Sequence, residues 1–100
     1  MFVLSPTRKF VDWLDGMSDQ HAVARITARL DRLEMGHFGD VRDVGGGVVE
    51  MRIHYGPGYR LYVVRRGAKV ILLLCGGDKS SQQRDIAAAQ RMAKEMGHDQ

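Results

Sequence analysis

The stretch EMRIHYGPGYRLYVV, residues 50–64, decides the fold that the sequence predicts. Apolar and polar residues alternate on both sides of Gly56-Pro57-Gly58, a pattern typical of two antiparallel strands joined by a tight turn. Because successive side chains of a strand point to opposite faces, this hairpin has one apolar and one polar face. The apolar face, which we expect to pack against helices, carries Met51, Ile53, Leu61 and Val63.

The polar face of the hairpin collects charged and aromatic side chains. A three-residue loop would pair Tyr55 with Tyr59 across the two strands. The pairs predicted on the polar face are then His54 with Arg60, Arg52 with Tyr62, and Glu50 with Val64.

This polar face has two interpretations. Arg52 and Arg60 repel each other unless an anion lies nearby. Glu50 can pair with one of them, which would leave an ordinary solvated sheet face. Alternatively the face binds phosphate, because the guanidinium fork matches phosphate oxygens and because His54 or Tyr62 could stack on a base. The sequence leaves both interpretations open.

Two helices are predicted ahead of the hairpin, after a short apolar strand at residues 2–4. Ser5 and Pro6 predict the start of the first helix, as N-cap and first helical residue. The pair Ser18-Asp19 predicts the N-cap of the second helix, which should end at Met35 or Gly36. The apolar stripes of the two helices are Phe10, Trp13, Leu14 and Met17, followed by Ala22, Val23, Ile26, Leu30 and Leu33.

The rest of the chain completes an α+β domain. Residues 36–47, GHFGDVRDVGGG, predict a glycine-rich loop with room for a short strand at residues 41–44. Residues 70–75 are apolar without alternation, as in a central strand covered on both faces. A last helix should begin at Ser80 or Ser81. The order β-α-α-β-β-β-α predicts a small, largely antiparallel sheet, with one domain spanning residues 1–100.

Composition narrows the function classes. The net charge of +3 permits a polyanionic partner without requiring one. The single cysteine, Cys75, cannot form an internal disulfide and closes an apolar strand, so we expect a buried core thiol. The four histidines are scattered without ligand spacing, so neither a metal nor another cofactor is predicted. The longest apolar run is too short for a bilayer span, and the start of the chain lacks a signal-peptide pattern. We therefore expect a cytoplasmic protein without membrane contact.

The segment CGGDKSS, residues 75–81, suggests a second part of the site. Gly76 and Gly77, at the end of a central strand, would let a ligand approach the backbone closely. Lys79 and the helix start that follows would add positive potential. The segment lacks the GxxxxGK[ST] spacing of a Walker phosphate-binding loop.

Residues 39–90 resemble the RelE/ParE-like toxins of type II toxin–antitoxin modules. The most specific matches are E-x-R-I-x-x-G-P-G-Y-R-x-Y and L-L-x-C-G-G-D-K-S, and the likeness extends back to Phe10 and Trp13. Within that group the chain is most similar to the addiction-module killer proteins, close to the HigB-type toxins. The resemblance implies a compact sheet with two N-terminal helices.

The resemblance also implies a function and its residues. Many such toxins cut mRNA on the ribosome without metal, by attack of a ribose 2′-hydroxyl on the adjacent phosphate. By position, Arg52 and Arg60 would hold the phosphate and Tyr62 would stack or hydrogen-bond. Lys79 would stabilise developing charge, and His54 could serve as acid or base. Arg60 could instead be a structural residue that pairs with Glu50 or Asp78.

Further basic residues are candidates for contacts with RNA or the ribosome: Arg25, Arg29 and Arg32 on the second helix, and Arg65, Arg66 and Lys69 around the next turn. The helical stripe is otherwise an ordinary solvated face. The implied partners are mRNA, the ribosome and a cognate helix-turn-helix antitoxin, with operator DNA reached only through that antitoxin.

Two other functions stay open. Several ribonuclease toxins carry a tyrosine or histidine near the C-terminus, where this chain offers only His98. A gyrase-directed toxin of the ParE type needs no nuclease site, and an inactive toxin-like protein could act solely as a co-repressor with its antitoxin. Fold-level likeness does not choose among these functions.

Overall fold

The computed structural model describes residues 1–96 of the chain, and the candidate His98 lies outside this range. Within it, the strands are β1 (Val3–Pro6), β2 (Val41–Asp43), β3 (Val48–Ile53), β4 (Tyr59–Arg66) and β5 (Val70–Gly77). The helices are α1 (Arg8–Asp15), α2 (Gln20–Glu34) and α3 (Gln82–Met96), the last preceded by a 3-10 turn at Lys79–Ser81. Across these residues no helix is both long and apolar enough to cross a bilayer.

The strands of residues 1–96 form a single mixed sheet, in the order β1-β5-β4-β3-β2. β1 runs parallel to β5, and the other neighbours are antiparallel. The predicted α+β class is therefore confirmed. The loop at residues 36–47 does contain a short strand, β2, which forms one edge of the sheet.

Helices cover both faces of the sheet. On one face α1 and α2 contribute Phe10, Ile26 and Leu33 to a core with the apolar side of the hairpin, as predicted. On the other face α3 packs Ala89 and Ala93 against a second core. That second core includes Val48, Tyr62, Leu72, Leu74 and Cys75. β5 is consequently buried between the two layers, which confirms the prediction for residues 70–75.

The hairpin register differs from the prediction by two residues. Ile53 pairs with Tyr59, so the connection spans residues 54–58. Gly56 and Gly58 both adopt positive φ, and the Gly58 amide closes the turn onto the Tyr55 carbonyl at 3.0 Å. A shift of two residues keeps every side chain on its predicted face but changes its partner. The observed pairs on the polar face are Arg52 with Arg60 and Glu50 with Tyr62.

One of the three predicted helix starts is wrong, that of α1, whereas α3 begins at Gln82, directly after the predicted Ser81. β1 continues through Pro6, so Thr7 instead of Ser5 caps α1, accepting from the Phe10 amide and donating to the Leu74 carbonyl. Before α3, the cap of the 3-10 turn is Asp78, whose carboxylate accepts from the Ser80 amide. Asp19 caps α2 as predicted.

Gly76 and Gly77 serve packing, which corrects their predicted role in admitting a ligand. A Cβ on Gly76 would lie 2.3 Å from the Trp13 ring, and one on Gly77 would lie 1.9 Å from the Asp85 carboxylate. These glycines allow α1 and α3 to approach the end of β5 from opposite sides.

We expect Gly76→Ala to lower the free energy of unfolding by about 1–3 kcal/mol, because the added methyl group overpacks against Trp13. Urea denaturation measures the change. The same substitution in a Trp13→Leu background should cost less, since the ring atoms in conflict are gone. An equal cost in both backgrounds would contradict this explanation.

Candidate functional site

A buried carboxylate lies at the centre of the polar hairpin face. The Glu50 side chain has no exposed surface. Its Oε2 atom accepts hydrogen bonds from the Tyr62 hydroxyl at 3.0 Å and from Gln82 Nε2 at 2.9 Å. Gln82 is the first residue of α3, so this helix begins directly over the carboxylate.

Three arginines surround the same carboxylate. Arg52 Nε lies 3.3 Å and Arg42 Nε 3.5 Å from Glu50 Oε1, while Arg60 Nε lies 3.7 Å from Oε2. Burial raises the pKa of Glu50, but the hydrogen bonds from Gln82 and Tyr62 and the arginine charges outweigh it. The net result is a pKa below the usual range, so Glu50 is ionised at neutral pH.

Tyr62 is buried beneath α3, with no exposed surface. Burial and the hydrogen bond to Glu50 both raise the pKa of its hydroxyl. A ring in this position has no face available to a base, which corrects the predicted stacking role. The polar hairpin face is accordingly not an open sheet surface, because α3 covers its middle.

Arg52 on β3 and Arg60 on β4 lie opposite each other, next to the start of α3. Their side chains are 33% and 14% exposed. Arg60 Nη1 donates to the Gly58 carbonyl at 2.8 Å. Its buried Nε has no hydrogen-bond partner among the described residues. Arg60 thus has the structural ion pair with Glu50 that the sequence allowed, together with unused donor capacity.

His54 is held by a carboxylate that the sequence interpretation missed. Its Nε2 lies 2.5 Å from Asp40 Oδ2, and its side chain is 74% exposed. The hydrogen bond with His54 is the main cause that lowers the pKa of Asp40, with smaller contributions in the same direction from Arg52 and Arg29. This contact orients the imidazole ring and leaves its Nδ1 for proton exchange.

Two grooves meet at His54. One, the α2 groove, has a volume of about 360 Å³ and is lined by Arg25, Ala28, Arg29, Arg32, Arg52, Ile53 and His54. The other, the hairpin groove, has a volume of about 460 Å³ and is lined by His54, Tyr55, Gly56, Pro57, Gly58, Arg60 and Lys79.

Lys79 reaches the hairpin groove through the 3-10 turn. Its amide donates to the Pro57 carbonyl at 3.4 Å, which fixes this turn against the hairpin loop. A Cβ on Gly58 would lie 3.3 Å from Arg60 Nη1 and 3.7 Å from Lys79 Cβ. Gly58 has a φ of 80°, which a larger residue would adopt only with strain, and the exposed Lys79 completes a cationic groove with His54 at its rim.

Arg29 has a structural role that its sequence position did not reveal. Its guanidinium donates to the carbonyls of Arg52, Phe38 (2.9 Å) and Asp40 (3.4 Å). Burial, followed by the charge of Arg32, lowers the pKa of Arg29. The side chain fastens the segment before β2 to the end of β3, and so fixes the position of Asp40 beside His54.

The remaining basic candidates divide by position. The exposed Arg25 and Arg32 line the α2 groove, where the Arg25 guanidinium lies 4.6 Å from the centre of the Tyr55 ring. Arg65, Arg66 and Lys69 lie around the turn between β4 and β5, at the opposite end of the sheet. At the rise of a β-strand, Arg66 is about 20 Å from Arg60 along β4. Arg65 also donates to the carbonyls of Gly67 and Ala68 within its own turn.

Cys75 lies in the second core, as predicted, and burial raises the pKa of its thiol to about 11. A thiol with such a pKa is a poor nucleophile at neutral pH. Within residues 1–96 no group of three or more His, Cys, Asp or Glu side chains is arranged to hold a metal ion.

The structure is that of a small α+β protein with a cationic groove beside its β-hairpin. The chain matches the family model described as Phage derived protein Gp49-like (DUF891) over residues 12–96, and it belongs to that family. This family consists of type II toxins of the RelE/HigB type, which supports the resemblance to toxins that the sequence shows. The chain is also 43% identical over 94 residues to an uncharacterized protein of Haemophilus influenzae, covering 94% of this chain and 95% of that protein.

We expect Glu50→Gln to lower the free energy of unfolding by about 3 kcal/mol at pH 7, because three arginines lose their shared counter-charge. The folded-state pKa of Glu50 lies below the ordinary value of 4.5, so its stabilisation is complete above that pH. The difference between the two proteins should therefore shrink as the pH falls through 4.5 towards the folded-state pKa.

Chemical denaturation at a series of pH values measures this difference. Glu34→Gln, at the exposed end of α2, provides a matched loss of charge and should have little effect at any pH. A Glu50→Gln cost that stays constant down to pH 3 would contradict the assignment of an ionised, stabilising carboxylate.

Proposed function

We propose that this protein is the toxin of a type II toxin–antitoxin module and cleaves mRNA on the ribosome without a metal ion. The observation that carries the proposal is His54, oriented by Asp40 at the rim of a groove that contains Arg60 and Lys79. An oriented acid–base group beside fixed cations is what phosphodiester cleavage by an internal nucleophile requires. Membership of a toxin family supports the same proposal.

The proposed reaction begins when His54 Nδ1 takes the proton of a ribose 2′-hydroxyl. The 2′-oxygen then attacks the adjacent phosphorus and displaces the 5′-oxygen of the next nucleotide, which takes up a proton from water, and His54 returns its own proton to the solvent. The products are a 2′,3′-cyclic phosphate and a 5′-hydroxyl, so atoms and charge balance without a cofactor.

The cations stabilise the negative charge that develops on the phosphate oxygens. Arg60 offers a guanidinium that lines the hairpin groove, Lys79 an exposed ammonium group, and Arg52 a partly exposed guanidinium. Tyr62 contributes indirectly, because its hydroxyl helps to fix the Glu50 carboxylate to which Arg52 and Arg60 are paired.

The proposed partners follow from the toxin class. A cognate antitoxin encoded nearby would bind this chain and neutralise it, and operator DNA would be reached through that antitoxin. The proposed place of action is the cytoplasm, where mRNA and ribosomes are located.

We expect His54→Ala and Lys79→Met each to reduce the cleavage rate by about 100-fold, the scale of losing an acid–base group or a stabilising charge. Primer extension on a defined mRNA in a reconstituted translation reaction, with and without ribosomes, measures the rate. Lys94→Met removes a matched, exposed lysine from α3 outside the site and should cleave normally.

Ribosome-dependent cuts that persist in both site variants would contradict the proposed site. A wild-type protein that arrests growth without cutting mRNA would contradict the nuclease, and gyrase supercoiling would then be the assay to run. A protein that neither cuts mRNA nor arrests growth would instead fit a co-repressor.

A further inference from the structure

The α2 groove lies at the end of β3, and the hairpin groove lies beside it at the loop and the start of β4. They share His54 as a common wall. Arg52 lines the first groove and Arg60 the second, and these residues face each other across β3 and β4. Directly opposed residues of an antiparallel pair have Cα atoms about 5 Å apart. The two grooves are therefore close enough for one extended ligand to enter both.

A single carboxylate fixes the arginine in each groove. Glu50 Oε1 contacts Arg52 at 3.3 Å, and Oε2 faces Arg60 at 3.7 Å. One negative charge cannot neutralise both linings, because the α2 groove also has Arg25 and Arg32. Among the described residues that line either groove there is no Asp or Glu. Asp40 contacts His54 and lies near Arg52, and Asp78 lies near Arg60, although neither lines a groove. The α2 groove still keeps an excess of positive charge, because its four arginines outnumber Glu50 and Asp40, and in the hairpin groove Arg60 and Lys79 face Asp78.

We propose that the two grooves bind two successive phosphates of one RNA strand, on either side of the ribose that lies at His54. This inference rests on the proposed function and identifies the α2 groove as a second phosphate subsite. The hairpin groove holds the phosphate that reacts, next to Lys79 and Arg60. Arg32 and Arg52 in the α2 groove hold its neighbour.

The second phosphate has a positioning role. Attack by the 2′-oxygen requires it to be in line with the departing 5′-oxygen, and one bound phosphate leaves the strand free to rotate about that contact. Two bound phosphates fix the direction of the strand and the place of the ribose between them. Because these contacts are to the backbone, the subsite acts on any sequence.

The rigidity of the α2 groove supports this role. Arg29 is committed to three backbone carbonyls, so it forms a fixed wall instead of a mobile contact. Arg25 lies over the Tyr55 ring. These restraints leave the exposed Arg32, with Arg52, as the donors that a phosphate in this groove would meet.

The test uses a 2′-O-methyl RNA trinucleotide without terminal phosphates, which has two phosphates and cannot be cleaved. NMR shift titration of the whole chain, at several salt concentrations, gives the dissociation constant. For single strands each phosphate contact contributes about −0.7 to the slope of log K against log salt, so two contacts predict about −1.4. Arg32→Gln and Lys79→Gln should each make the slope shallower, towards about −0.7 when the phosphate contact is lost, and the Lys94→Gln control should leave it unchanged.

Methylphosphonate substitution then assigns the grooves, because it removes the charge of one linkage at a time. The cost of Arg32→Gln should vanish when one linkage is neutral, and the cost of Lys79→Gln when the other is. Both costs vanishing at the same linkage would overturn the inference, as would no binding of the trinucleotide or an Arg32→Gln variant that binds like the control. Ribosome-dependent cleavage that still requires His54 and Lys79 would then leave the proposed function intact.

Discussion

The requirement to satisfy one buried charge, that of Glu50, governs how the sheet and α3 come together. An unpaired carboxylate in this position would lower the free energy of unfolding by several kcal/mol. The folded structure therefore has to bring hydrogen-bond donors to it. They come from β2, β3, β4 and the first residue of α3: Arg42, Arg52, Arg60, Tyr62 and Gln82. Assembling this network fixes the hairpin register, because only the observed pairing places Tyr62 opposite Glu50.

The same network explains which parts of the fold were accessible from the sequence. Alternation has a period of two, so it assigns each residue of β3 and β4 to a face without specifying its partner. The apolar face with Met51 and Leu61 was therefore predicted correctly, while the cross-strand pairs were displaced by two residues. The register is decided by the five-residue connection, with positive φ at Gly56 and Gly58, and by the hydrogen bonds that the buried Glu50 carboxylate requires.

The parts of the site that the sequence concealed depend on contacts between distant segments. No local pattern shows that α3 covers Tyr62, or that Gly76 receives the Trp13 ring. Asp40 belongs to a glycine-rich loop, and it becomes significant only because Arg29 fastens that loop beside His54. Residue types were informative where chemistry is local, as in the cluster of arginine, histidine and lysine. The residue types did not reveal which of these groups form structural contacts within the fold and are therefore not free to bind a ligand.

The arginines differ in how far structural contacts occupy their hydrogen-bond donors. The Arg29 guanidinium donates to backbone carbonyls, whereas Arg60 is partly exposed, and its buried Nε has no hydrogen-bond partner among the described residues and lies 3.7 Å from the Glu50 carboxylate. A buried donor without a hydrogen-bond partner costs about 1–3 kcal/mol of folding free energy. The surrounding network within residues 1–96 provides no acceptor for this one. The same side chain is 14% exposed and lines the hairpin groove, where a phosphate oxygen would meet the exposed part of the guanidinium. Glu50 thus holds the arginines in position without occupying all of their hydrogen-bond donors. A cation that is fixed in place but only partly paired can stabilise the negative charge that develops on a reacting anion.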